Sequence, residues 1–150
     1  MKKIVTLFAL ALITGGVSAQ CKSKKDMEGT WRYYQAVAYA PKVSNISRCE
    51  AAFRPDSATH GAFEGWCWIS PGKGPKTQNM FGEYTIVNTS TCDVEVKMDM
   101  GAMGVSDFRF VLAMDHFSWA GQWNNQGGDW GVTNGVKILK STETPVPPAN

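Results

Sequence analysis

From Trp31 onward apolar residues recur at every second position, and glycine, proline, asparagine or aspartate breaks the pattern about every eight to twelve residues. Strand side chains alternate between two faces, whereas a helix needs an apolar stripe at three-to-four-residue spacing, and no long stripe of that kind occurs. The cleanest case is 92–100, where Val94, Val96, Met98 and Met100 fall on one face and Asp93, Glu95, Lys97 and Asp99 on the other. Seven more segments read the same way, at 30–37, 49–54, 62–69, 81–87, 107–114, 117–123 and 130–140. Between them, Pro55-Asp56-Ser57 favours a hairpin bend, and 70–75, with two prolines and two glycines, cannot continue a ladder. Eight short segments joined by hairpins predict an all-β, eight-stranded, antiparallel up-and-down barrel, whose closure leaves no sticky edge.

The chain opens with Lys2 and Lys3, an apolar run over 4–13 and the small-x-small triplet Val17-Ser18-Ala19, the pattern of a secretory leader at 1–19. The run is too short to cross a bilayer as a helix. Gln20 before Cys21 does not suit a lipid anchor, so the mature product is expected to be soluble and secreted, beginning at Gln20. It would hold 131 residues, with 13 basic against 13 acidic side chains. That balance argues against nucleic acid or an anionic membrane as partner. The expected organisation is an arm at 20–28 carrying Lys22, Lys24 and Lys25, a barrel at 29–141, and a disordered proline-rich tail at 142–150. No helix is expected after the last strand.

Cys21, Cys49, Cys67 and Cys92 all lie beyond the leader, and an even number in a secreted chain favours two disulfides, with three connectivities open. Their wide spacing lacks the close pairs of common zinc sites, so no metal is expected. Nothing calls for a cofactor, and no Ser-His-Asp set or phosphate loop is present, His60 and His116 being the two histidines. Asn45 and Asn88 head N-glycosylation sequons, which matter only in a eukaryotic source.

Gly29-Thr30-Trp31 resembles the G-x-W signature of the lipocalins, secreted eight-stranded barrels that carry small apolar molecules. The segment 49–53 is similar to that family's second strand, and Asp115 matches the aspartate of its T-D-Y motif. Met114 stands at the threonine position and His116 or Phe117 at the tyrosine position. No arginine appears on the last strand to cover the signature tryptophan as a cation; of Lys137 and Lys140, Lys140 is taken for that role. The resemblance describes a divergent or short member. A weaker resemblance is to the avidins, on Gly29-Thr30-Trp31, 61–65 and 129–138.

If the dry faces point inward, Tyr33, Met98, Met100, Phe110, Leu112, Phe117 and Trp119 line an interior that Trp31 closes at the narrow end. Methionine adapts to irregular guests and aromatic rings favour planar ones. The expected ligand is a retinoid, carotenoid, fatty acid, steroid or tetrapyrrole, held mainly by burial at about 25 cal/mol per Å². The same stripe also describes a packed core. Two other classes compete: recognition of a protein partner through loops at 39–47 or 70–79, and thiol chemistry at Cys67, since some lipocalin relatives use a barrel thiol for isomerisation.

Overall fold

A computed structural model describes residues 20–39, 46–69 and 76–148; the expected leader at 1–19, Asn45 and the loop 70–75 lie outside them. Eight strands follow in order: β1 Gly29–Tyr39, β2 Ile46–Pro55, β3 His60–Ile69, β4 Lys76–Asn88, β5 Asp93–Asp99, β6 Val105–Leu112, β7 Ser118–Asn125 and β8 Trp130–Leu139. Each pairs antiparallel with the next, and β8 pairs with β1 to close the barrel. The alternation that announced β5 is the one that builds it, with Val94, Val96 and Met98 buried and Glu95 and Lys97 exposed. No α-helix occurs among the described residues, and none of them forms a helix long and apolar enough to cross a membrane.

Up-and-down order sorts the connections to two ends. The lower end gathers the start of β1, the turns at 55–60, 88–93 and 112–118, and the end of β8. The upper end carries the β5–β6 connection and the β7–β8 turn. Before β1, a single 3-10 turn at Lys24–Asp26 is capped reciprocally by Ser23 and Asp26. It leads into Met27, which is buried. Cys21–Cys92 ties this arm to the β4–β5 turn, and Cys49–Cys67 staples directly paired positions of β2 and β3. Two disulfides are what a chain folded in an oxidising environment carries.

Trp31 is fully buried at the lower end, and its Nε1 donates to the Met27 carbonyl at 2.8 Å. Gly29 just before it has φ +124°, and a Cβ there would sit 2.6 Å from the Leu139 carbonyl oxygen, so the close β1–β8 start requires glycine. The cation over the tryptophan is Lys137, with Nζ 4.9 Å from the ring centre, and not Lys140, which is exposed. A register shift between Thr30 and Trp31 sets Lys137 opposite Trp31. Lys137 also donates to the Lys25 and Asp26 carbonyls, so one ammonium fastens the arm to the floor.

Two further expectations are corrected. Phe117 does not face inward: β7 begins one residue later, His116 turns the chain with φ +55°, and the Phe117 ring is half exposed beside Lys137. The tail is not free where it begins. Thr30 Oγ1 donates to the Ser141 carbonyl, and Arg54 donates to the Thr142 carbonyl and to Thr144 Oγ1, strapping 141–144 across the outside of β1 and β2.

Candidate functional site

The barrel interior is the candidate site. β1 contributes Tyr33, β5 Met98 and, just past its end, Met100, β6 Phe110 and Leu112, and β7 Trp119, all buried as the alternation places them. Met80 joins them from β4, whose first residues, Lys76 to Asn79, are too polar to read as strand. Trp119 lies at the centre, stacked on Trp31 at 4.6 Å and on Phe110 at 4.4 Å between ring centres. Phe53 and Phe63 stack at 5.0 Å beside it. The Tyr33 hydroxyl donates to Met80 Sδ at 2.9 Å, and Met98 Sδ lies 3.4 Å away. Burial drives the Tyr33 hydroxyl's pKa far upward, so it stays a neutral donor.

These side chains nearly fill the space. The remaining void, bounded by Tyr33, Phe53, Met98, Phe108, Phe110 and Trp119 among others, is about 10 Å³, the size of one water molecule. Glycines make room for the rings: a Cβ on Gly82 would meet the Phe63 ring at 2.8 Å, and one on Gly135 would meet the Trp119 ring at 2.4 Å.

One wall differs in kind. Across β7, β8 and β1, three consecutive rows read Trp119–Gly135–Tyr33, Gly121–Thr133–Gln35 and Trp123–Gly131–Val37. Trp119 Nε1, Thr133 Oγ1, Gln35 Nε2 and Trp123 Nε1 are all buried, and none has a hydrogen-bond partner among the described residues. Leaving such a group unpaired costs about 1–3 kcal/mol. Four on three adjoining rows, interleaved with glycines, form a seam of unspent donors along one wall of the interior. Gln35 follows Tyr33 at the inward spacing of β1, but nothing in the sequence singles out Thr133 or Trp123. The available signal was the small-residue row Gly131-x-Thr133-x-Gly135, which is an inward strand face with almost no bulk.

Other expected positions serve elsewhere. Asp115 accepts from the Phe117 amide at 2.8 Å and shapes the β6–β7 turn. His116 lies at the lower end, its Nδ1 2.9 Å from Asp26 Oδ1. It approaches Cys21 and Cys92, but both sulfurs are committed to their disulfide, so the group offers a metal only one ligand. Cys67 is paired with Cys49, which removes the thiol on which isomerase chemistry rested. Outside the barrel, Arg32 and Arg48 both donate to Glu50 Oε1 at 2.8 Å. Burial pushes that carboxyl's pKa up, but the two guanidinium hydrogen bonds outweigh it and hold it below the usual range.

No protein-family model and no curated protein matches the chain. Among solved structures it is similar to a redesigned β-barrel, b11L5F_LGL, with a TM-score of 0.60 and 14% identity over 81% of this chain and 99% of that one. It is similar also to the redesigned β-barrel mFAP1 bound to DFHBI, with a TM-score of 0.59 and 11% identity over 78% and 99% of the two chains. Lobster apocrustacyanin A1 aligns at a TM-score of 0.43 and 9% identity over 86% of this chain and 76% of that one. At these identities the likeness is one of fold: the chain is a closed, eight-stranded, antiparallel up-and-down β-barrel.

Proposed function

We propose that the protein is a secreted, lipocalin-like carrier that holds one small, flat, largely apolar molecule inside the barrel, with acceptor oxygens or nitrogens facing the β7–β8–β1 wall. The observation that carries this reading is the seam of unpartnered buried donors at Trp119, Thr133, Gln35 and Trp123. A barrel packed for stability alone gains by replacing such groups with apolar ones, whereas a guest bearing acceptors turns each into a hydrogen bond. The closed interior accommodates the guest by moving the unbranched Met80, Met98 and Met100. Retinoids, steroids and fatty acids remain the expected chemistry, and DFHBI, the compound held by a barrel of the same fold, is a ready probe.

Extraction of the purified chain followed by mass spectrometry, together with tryptophan quenching by retinoic acid, hexadecanoic acid and DFHBI, tests the proposal. A co-purified molecule or saturable quenching supports it, as does about tenfold weaker binding in the Gln35→Leu, Thr133→Val double variant. No retained molecule and no saturable quenching by any of the three probes would sink it.

A further inference from the structure

On the outer face of β4 to β8 lies a groove of about 780 Å³. Small-molecule sites span roughly 300–1,000 Å³. Its floor is built from two cross-strand rows. In the first, Glu83, Lys97, Asp107 and Asn124 stand opposite one another on successive strands and end on Trp130. In the second, Thr85, Glu95, Arg109 and Gln122 stand opposite one another and end on Val132. Arg109 reaches Asp93 and Glu95 only at 3.7 and 4.0 Å, too long to satisfy its donors.

Trp130 is 52% exposed at the end of the first row, with the exposed Val132 next to it on the outer face of β8. Its position is fixed by the β7–β8 turn. The Asn125 and Asp129 side chains bond each other at 3.1 Å, the Asp129 amide donates to Asn125 Oδ1 at 3.0 Å, and the Asn125 amide donates to the Asp129 carbonyl at 3.0 Å. That turn sets the backbone from which Trp130 projects, and an exposed indole offers its flat face to a flat partner.

The groove's chemistry selects the partner. Glu83, Glu95 and Asp107 nearly cancel Lys97 and Arg109, so neither polyanions nor polycations are drawn to it. Along the two rows the side chains between Trp130 and β4 are charged, amide or hydroxyl groups, and the exposed Val87 and Val132 lie apart at opposite edges, so a lipid tail or an apolar peptide segment meets no continuous apolar track. A neutral molecule with many hydroxyls and one flat C–H face fits both features. We infer that this face binds a neutral oligosaccharide, with a sugar ring on Trp130 and hydroxyls on Asn124, Gln122, Asp107 and Arg109. Adjacent strands lie about 4.8 Å apart, close to the width of a pyranose ring, so the rows offer polar groups at sugar spacing.

Titration of the full chain with cellotetraose and with N-acetylated chitotetraose, read by the indole NMR signals, tests this surface. A saturable shift of the Trp130 indole with at least one sugar is expected. Trp130→Ala should weaken binding about tenfold or more, and Gln122→Ala several-fold. Interior-probe binding and far-UV dichroism should stay unchanged in Trp130→Ala, which separates this site from the barrel interior. No saturable response to either sugar, or a response undiminished in Trp130→Ala, would overturn the inference.

Discussion

The floor of the barrel and its β7–β8–β1 wall are lined by the same residue types and solve opposite problems. At the floor the polar atoms around Trp31 are spent: its indole donates to Met27, Lys137 donates to two carbonyls, and Thr30 donates to Ser141. Tyr84 Oη, without a partner beside Phe53, is the exception there. Along the wall, four polar atoms on adjoining rows remain unspent. Satisfied groups make a floor that resists opening, while unsatisfied groups make a wall that gains from a guest. Substitutions on the two regions should therefore differ in sign as well as in size.

The largest effect should come from Trp31→Ala. It removes a fully buried ring stacked on Trp119 and capped by Lys137, and large aromatic truncations cost about 5 kcal/mol at the upper end of their range. Urea unfolding followed by far-UV dichroism measures it. A loss comparable to a surface substitution would mean that the floor is not a packed plug.

Next is the Cys21→Ser, Cys92→Ser pair. The disulfide spans a sequence separation of 71, and closing so long a loop in the unfolded chain is worth about 4 kcal/mol. The Cys49–Cys67 bridge, with a separation of 18, should be worth about 3 kcal/mol. Unfolding midpoints of the two double variants should rank in that order, and the reverse order would place the greater constraint in the wall of the barrel.

Lys137→Met should cost about 2 kcal/mol, since two donated hydrogen bonds and a cation over an aromatic ring are lost, while Lys140→Met should be silent. The pH dependence carries a distinct sign. Burial lowers the folded-state pKa of Lys137, against the pull of Asp26 and Glu28, so the folded chain releases this proton before the unfolded chain does. Stability should rise with pH between the lowered folded value and the ordinary lysine value, and Lys137→Met should abolish that rise. Glu50 acts oppositely: held below its ordinary range by Arg48 and Arg32, it contributes stability that is lost as pH falls through its folded value. Glu50→Gln should flatten the acid limb of a denaturation profile taken across pH.

Much of the floor and most of the interior were legible because they rest on alternation. Trp31, Tyr33, Met98, Phe110 and Trp119 needed only a period of two and a closed sheet to be placed inside. Phe117 was misplaced because alternation does not announce where a strand begins, and a turn with His116 at positive φ swings its neighbour outward. Lys140 was misassigned for a related reason. The shift at Thr30/Trp31 is a property of pairing between chain ends more than a hundred residues apart, and it moves Lys137 onto the tryptophan. The donor seam was illegible for a third reason: Gln35, Thr133 and Trp123 lie on three different strands, and only register shows that their rows adjoin.

That register also sets the smallest and sharpest test of the wall. Thr133 sits between Gly131 and Gly135 with its hydroxyl unpaired, so Thr133→Val keeps the shape of the side chain and removes a desolvated group. In the ligand-free protein this change should be neutral or should stabilise by about 1 kcal/mol, the opposite sign to every substitution at the floor. In the presence of a bound guest the same change should lower affinity, because it deletes a partner the guest would use. Thermal unfolding with and without a saturating probe measures both halves. If Thr133→Val destabilises the free protein as a floor substitution does, the hydroxyl is already satisfied and the wall is ordinary core.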